Sequence, residues 1–161
     1  MIEGASDFFV AAAGAAAALA GLIIVALSVS VEEIIKMPGM TARSAASIAL
    51  LVAATLISLA GLIPGQTALA FGLETLVAGL AALAFSLIAA FRMARGRGPY
   101  SMMSGVVRGG LGVVPSLLFM VGAVLAVLEN PAAMQLLGIG MLLAIAIAVT
   151  TAWVLLVEIR R

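Results

Sequence analysis

Two pairs of residues at the end of one apolar run have the types and spacing for ion chemistry: Ser28 with Ser30, then Glu32 with Glu33. If copies of this run line a pore, the glutamates form acidic rings at its inner mouth. The serines then sit just above them as hydroxyl ligands. Rings of carboxylates favour cations. The plainer reading is a solvated helix end, with Glu32 placed i,i+4 from Lys36 for a salt bridge.

Glu74 is the only acidic residue well inside an apolar run. It lies seven residues past Thr67, about 10 Å along a helix. A carboxylate at that depth is costly and commonly marks an ion or proton pathway. The alternative is a group near the interface that reaches for headgroup water. Thr55 and Ser58 share a helix face at i,i+3, and Thr150 and Thr151 lie in the last run; all four are read as interhelical hydrogen-bond partners or self-satisfied hydroxyls.

Other chemistry is excluded by composition. The chain has no Cys and no His, which removes disulfides, thiolate nucleophiles, the usual zinc sites and imidazole catalysis. No two carboxylates are placed together in a membrane run, so an enzyme is not expected. No cofactor or metal is implied. Arg108-Gly109-Gly110-Leu111-Gly112 lacks the Lys-Ser/Thr ending of a phosphate loop. Net charge is +1 and no basic, aromatic-interleaved stretch offers a nucleic-acid surface.

The elements that position these groups follow from hydropathy. Of the 161 residues, 65% are hydrophobic and 9% charged, against about half and about a quarter in soluble domains. A single domain of this size cannot hide so much apolar surface from water, so its solvent is lipid. A spanning helix needs about 20 apolar residues. Five runs qualify, at about residues 8–31, 45–63, 69–91, 106–128 and 132–157. The first seven residues carry Glu3 and Asp7 and no basic residue, so the first run reads as a retained span, not a cleaved signal. Pro64-Gly65 predicts a tight turn, Asn130-Pro131 opens the fifth span, and Ser6 or Asp7 can cap the first helix. The fourth span is irregular at its start: Gly105, Gly109, Gly110 and Gly112 precede Pro115, so it begins late, or is kinked or broken there.

With five spans, all eight Lys and Arg fall on one side, which is therefore cytoplasmic. Glu3, Asp7, Gln66 and Glu129 fall on the other. The expectation is an all-α, polytopic membrane helix bundle, N-terminus outside and C-terminus inside, forming one domain over 1–161 in the cell's inner or plasma membrane. Trp153 suits an interfacial aromatic. The loop from Arg92 to Arg108 sets this topology and can also meet anionic lipid.

The first run is rich in small residues. Gly14 with Ala18 and Ala17 with Gly21 give small-xxx-small spacing, which lets helices approach closely. This predicts a central helix packed against other helices, either inside one copy or, in the sharper reading, as a self-association surface near an oligomer axis. The helix is expected to continue through Glu32, Glu33 and Lys36, about 45 Å from residue 8 to 37.

Three functions fit: a small homo-oligomeric cation channel, an accessory protein that binds another membrane protein, and a proton-coupled transporter using Glu74. The stretch from Gly14 to Ser30, Pro64-Gly65-Gln66, and the ending from Ala152-Trp153 to Glu158 resemble a group of small, uncharacterised bacterial multi-span membrane proteins. Some of these carry a label as modulators of a membrane-bound AAA protease. The resemblance implies a protein partner and assigns no functional residue.

Overall fold

Long uninterrupted runs of Ala, Leu, Val and Ile leave the backbone no partner in lipid except itself, so each run closes its own hydrogen bonds as a helix. A computed structural model describes residues 5–29, 31–36, 39–95 and 110–158. The helices are α1 (Ser6–Val29), α2 (Val31–Lys36), α3 (Met40–Gly61), α4 (Ala68–Arg95), α5 (Val113–Val127) and α6 (Ala132–Trp153). A π-helical turn, Val154–Glu158, extends α6. The described residues contain no strand. Four of the helices are long and apolar enough to cross a membrane, and α5 is a shorter apolar helix of 15 residues.

The boundaries show why the chain turns where it does. Gln66 N–H donates to Ile63 C=O, and Gly65 between them has φ 71°. With Pro64 before it, this is a type II turn, whose third position requires positive φ. Thr67 Oγ1 then accepts from Ala70 N–H at 3.2 Å and caps α4. Asn130 Oδ1 accepts from Ala132 N–H at 2.9 Å and caps α6. The first helix starts a residue earlier than its predicted caps: Ala5 C=O accepts from Phe9 N–H, and Asp7 falls in the first turn. A carboxylate there still complements the helix dipole.

The end of α5 carries strain in an unexpected place. Asn130 N–H donates to Leu125 C=O and Glu129 N–H to Ala126 C=O. This is a Schellman ending, and Glu129, at φ 54°, occupies the left-handed position that glycine usually takes. An L residue there costs roughly 1–2 kcal/mol, part of which glycine's extra unfolded-state entropy offsets. Glu129→Gly is therefore expected to stabilise the fold by about 0.5–1 kcal/mol, read as a higher midpoint in thermal unfolding in detergent.

In the fourth apolar run Gly110 is helical, a turn follows at Leu111 and Gly112, and α5 begins at Val113; residues 106–109 lie outside the described residues. Pro115 sits in the first turn of α5, where its missing N–H breaks no helical bond. At about 22 Å, α5 is shorter than a hydrocarbon core of about 30 Å.

The packing differs from the sequence expectation at its centre. α3 lies between α1 and α4, α5 joins α4 to α6, and α6 closes onto both α1 and α3. The enclosed helix is thus α3, whose Leu50, Leu51, Ala54 and Ile57 are fully buried. α1 is peripheral, not central as predicted. The stripe Phe9, Ala12, Ala16, Ala20, Ile23 and Ala26 is buried against its neighbours, with Leu19 and Leu27 half-buried beside it. The reason is geometric: small residues license a close approach without naming the partner, and here the inward stripe takes only one side of the helix. The predicted helix over 8–37 is helical on both sides of Ser30, as α1 and α2; Ser30 and Met37 lie outside the described residues.

The outer surface is apolar all round. Val10, Val77, Leu128, Leu142 and many similar side chains are exposed. A helix that is apolar on every face belongs in lipid. Within lipid, association rests on packing rather than on the hydrophobic effect, and the core accordingly mixes many Ala with a few large rings. Phe9 and Phe71 meet at 6.2 Å between centroids with planes tilted by 58°.

Candidate functional site

Side-chain contacts fix which ends of the helices coincide. Phe9 packs on Phe71 and against Gly61, and Val127 lies against Gly72, so the start of α1, the end of α3, the start of α4 and the end of α5 share one end. That end carries Asp7, Glu74 and Glu129. Met93 lies against Gly39, which adopts φ 82°, so the start of α3 meets the end of α4 at the other end. That end carries Arg43, Arg92 and the exposed Trp153.

The α1 face away from the bundle holds the small residues singled out in the sequence. Gly14, Ala17, Ala18 and Gly21 are all exposed. A Cβ built on Gly14 or Gly21 would meet no atom within 4 Å. By contrast, Cβ atoms on Gly61, Gly72, Gly79, Gly112, Gly122 and Gly140 would all meet neighbours at tight distances. Ser28 lies on the same side of α1, exposed, its hydroxyl donating to Ile24 C=O at 2.9 Å. That bond uses its proton and leaves the oxygen lone pairs outward. Glu32 is exposed on α2. Ser30 and the side chain of Glu33 lie outside the described residues.

Glu74 stands apart from these groups, in the second turn of α4 and exposed. Gln66 Nε2 donates to its Oε2 across the α3–α4 turn. The carboxylate thus sits at the surface near the acidic end and does not project into the core. The structure brings Ser28 near the end of α1 that leads to Glu32 and places Glu74 at the opposite end of the bundle.

Hydroxyls of the spanning helices act as predicted. Thr55 Oγ1 donates to Leu51 C=O at 2.9 Å, and Thr150 Oγ1 to Ile147 C=O at 2.7 Å. Ser58 Oγ reaches Met141 Sδ at 3.6 Å, joining α3 to α6. Thr151 Oγ1 donates to Ile147 C=O, so Ser47 Oγ donates to Thr151 across the same interface at 3.0 Å. Sequence reasoning did not single out Ser47, Thr75 or Ser86. The last two are buried with hydroxyl oxygens lacking a protein partner. The available signal was their position: both lie deep within the long apolar run of α4.

This architecture and these groups define a multi-pass membrane helix bundle whose polar side chains gather at its two ends and on interhelical contacts. No family model, no curated protein and no solved structure matches the chain.

Proposed function

We propose that the chain forms a homo-oligomeric, cation-permeable channel in the cell's inner or plasma membrane, with α1 facing the oligomer axis. The observation that carries this reading is the open, small-residue face of α1. Gly14 and Gly21 have no packing role within one copy, although every glycine close to a neighbouring helix elsewhere in the bundle has one. Small residues on a lipid-facing surface gain little from lipid, whereas against another helix they permit close backbone contact. The filled core of a single copy points the same way, because any pathway then runs between copies.

In this arrangement Gly14, Ala18, Gly21 and Ser28 follow one another along the axis, and Glu32 and Glu33 ring the mouth beyond them. The apolar stretch serves as a hydrophobic constriction, and the carboxylates concentrate cations at its entrance. Arg43 and Arg92 at the Glu32 end favour placing that end in the cytoplasm, with the N-terminus outside. An accessory role toward another membrane protein would use the same α1 face.

The test is a planar bilayer recording of the purified protein under a KCl gradient. Discrete cation-selective openings are expected, with selectivity reduced several-fold in the double substitution Glu32→Gln/Glu33→Gln. Well-folded, oligomeric protein that stays silent would overturn conduction and leave the accessory role.

A further inference from the structure

A second surface, independent of α1 and of any conduction, has the shape and charge to hold a lipid. Between α3 and α4 runs an open cleft with a cavity volume of about 340 Å³, within the range of ligand pockets, roughly 300–1,000 Å³. Its floor is Ala53 and Ala78, both buried, and its rims include Val52, Leu56 and Phe85, all exposed. The cleft exists because alanines face each other on the two helices where larger side chains would have met. Its lining is almost wholly apolar, so water gains nothing there, and an unfilled cleft forfeits the dispersion contacts of its walls.

One mouth of this cleft is polar. Arg92 lies seven residues beyond Phe85 on α4 and is exposed. Seven residues return a helix to nearly the same face, about 10 Å farther along. Thr41 on α3 stands four residues before Ala45, a lining residue, and is also exposed. Gly39 against Met93 brings these two helix ends to one level. A guanidinium and a hydroxyl thus flank the point where the apolar cleft reaches the membrane surface. An acyl chain fits the cleft, a phosphate fits the mouth, and a net negative headgroup complements Arg92.

We infer that the α3–α4 cleft binds an anionic phospholipid of the leaflet at the basic end, acyl chain along Ala53 and Ala78, headgroup phosphate on Arg92. A groove of similar kind between α1 and α6, near Phe8 and Gly138, has only Gln135 as a polar liner and no cation. It lacks the charge that would select a headgroup.

The experiment is native mass spectrometry of the full chain in detergent, offered equal amounts of phosphatidylglycerol and phosphatidylcholine with identical acyl chains. Wild-type protein is expected to retain phosphatidylglycerol about fivefold over phosphatidylcholine, the preference one basic residue near the surface supports. Arg92→Ala should bring the two lipids to parity, and Arg92→Lys should keep most of the preference. Ala81→Trp, which fills the cleft from an exposed position, should reduce retention of both lipids while circular dichroism stays helical. Equal retention by wild type, a preference untouched by Arg92→Ala, or full retention by Ala81→Trp would each overturn the assignment.

Discussion

Replacing Gly14 and Gly21 together by Leu is expected to separate the proposed oligomer into folded single copies. Both positions lie on the exposed face of α1, and neither has an atom of another described residue, beyond its own helix backbone and chain neighbours, within 4 Å of a new Cβ. The fold of one copy therefore has no reason to suffer, and helix propensity rises when glycine is replaced. In an α1–α1 interface the same side chains must displace a packed partner. Overpacking costs about 1–3 kcal/mol per site, so two sites weaken each interface by roughly 2–6 kcal/mol, about 30-fold to more than 10⁴-fold in dissociation constant. Energy transfer between differently labelled copies in liposomes, titrated against lipid dilution, measures this directly. Association unchanged by the double substitution would remove α1 from the interface, and with it the pore reading.

How far such expectations can be read from sequence differs from element to element. The membrane bundle itself follows from composition, because no other solvent accommodates so many Leu, Val and Ala. Pro64-Gly65 and Asn130-Pro131 specify their turns through local constraints on φ and on backbone donors, and local constraints survive tertiary packing. The separation of Arg43 and Arg92 from Asp7, Glu74 and Glu129 follows from counting spans.

What failed was the choice of central helix. Alanine runs in α1 signal close packing but cannot specify on which side. A better guide was available in the hydroxyls. α3 carries Thr41, Ser44, Ser47, Thr55 and Ser58, and of these the three serines are buried. Hydroxyls in a spanning helix gain most where another helix supplies a partner, as Thr151 does for Ser47 and Met141 for Ser58. The span richest in hydroxyls is for that reason the enclosed one. Glu74 illustrates a different limit. Its depth was readable by counting from Thr67, but its direction depended on a turn that returns Gln66 to its side.

Substituting Gly72 and Gly79 by Leu should have the opposite consequence to the α1 pair, although both pairs are spaced by seven. A Cβ on Gly72 would overlap Val127 Cγ2 and stand 3.0 Å from the carbonyl oxygen of Ala123. On Gly79 it would stand 3.2 Å from Phe119 Cβ and 3.4 Å from the Met120 backbone nitrogen. Backbone atoms cannot step aside as a flexible side chain can, so α5 must move away from α4. That motion also unseats Phe119, which is fully buried and sits against Gly140 of α6. At about 1–3 kcal/mol or more per site, the pair should lower stability by several kcal/mol. The readout is the midpoint of unfolding in mixed micelles titrated with dodecyl sulfate, together with loss of the defined oligomer as single copies fail. An unshifted midpoint would mean that α5 does not dock on α4 through these glycines. Because one seven-residue pair faces a helix of its own chain and the other faces outward, the two double substitutions distinguish folding of a copy from association between copies.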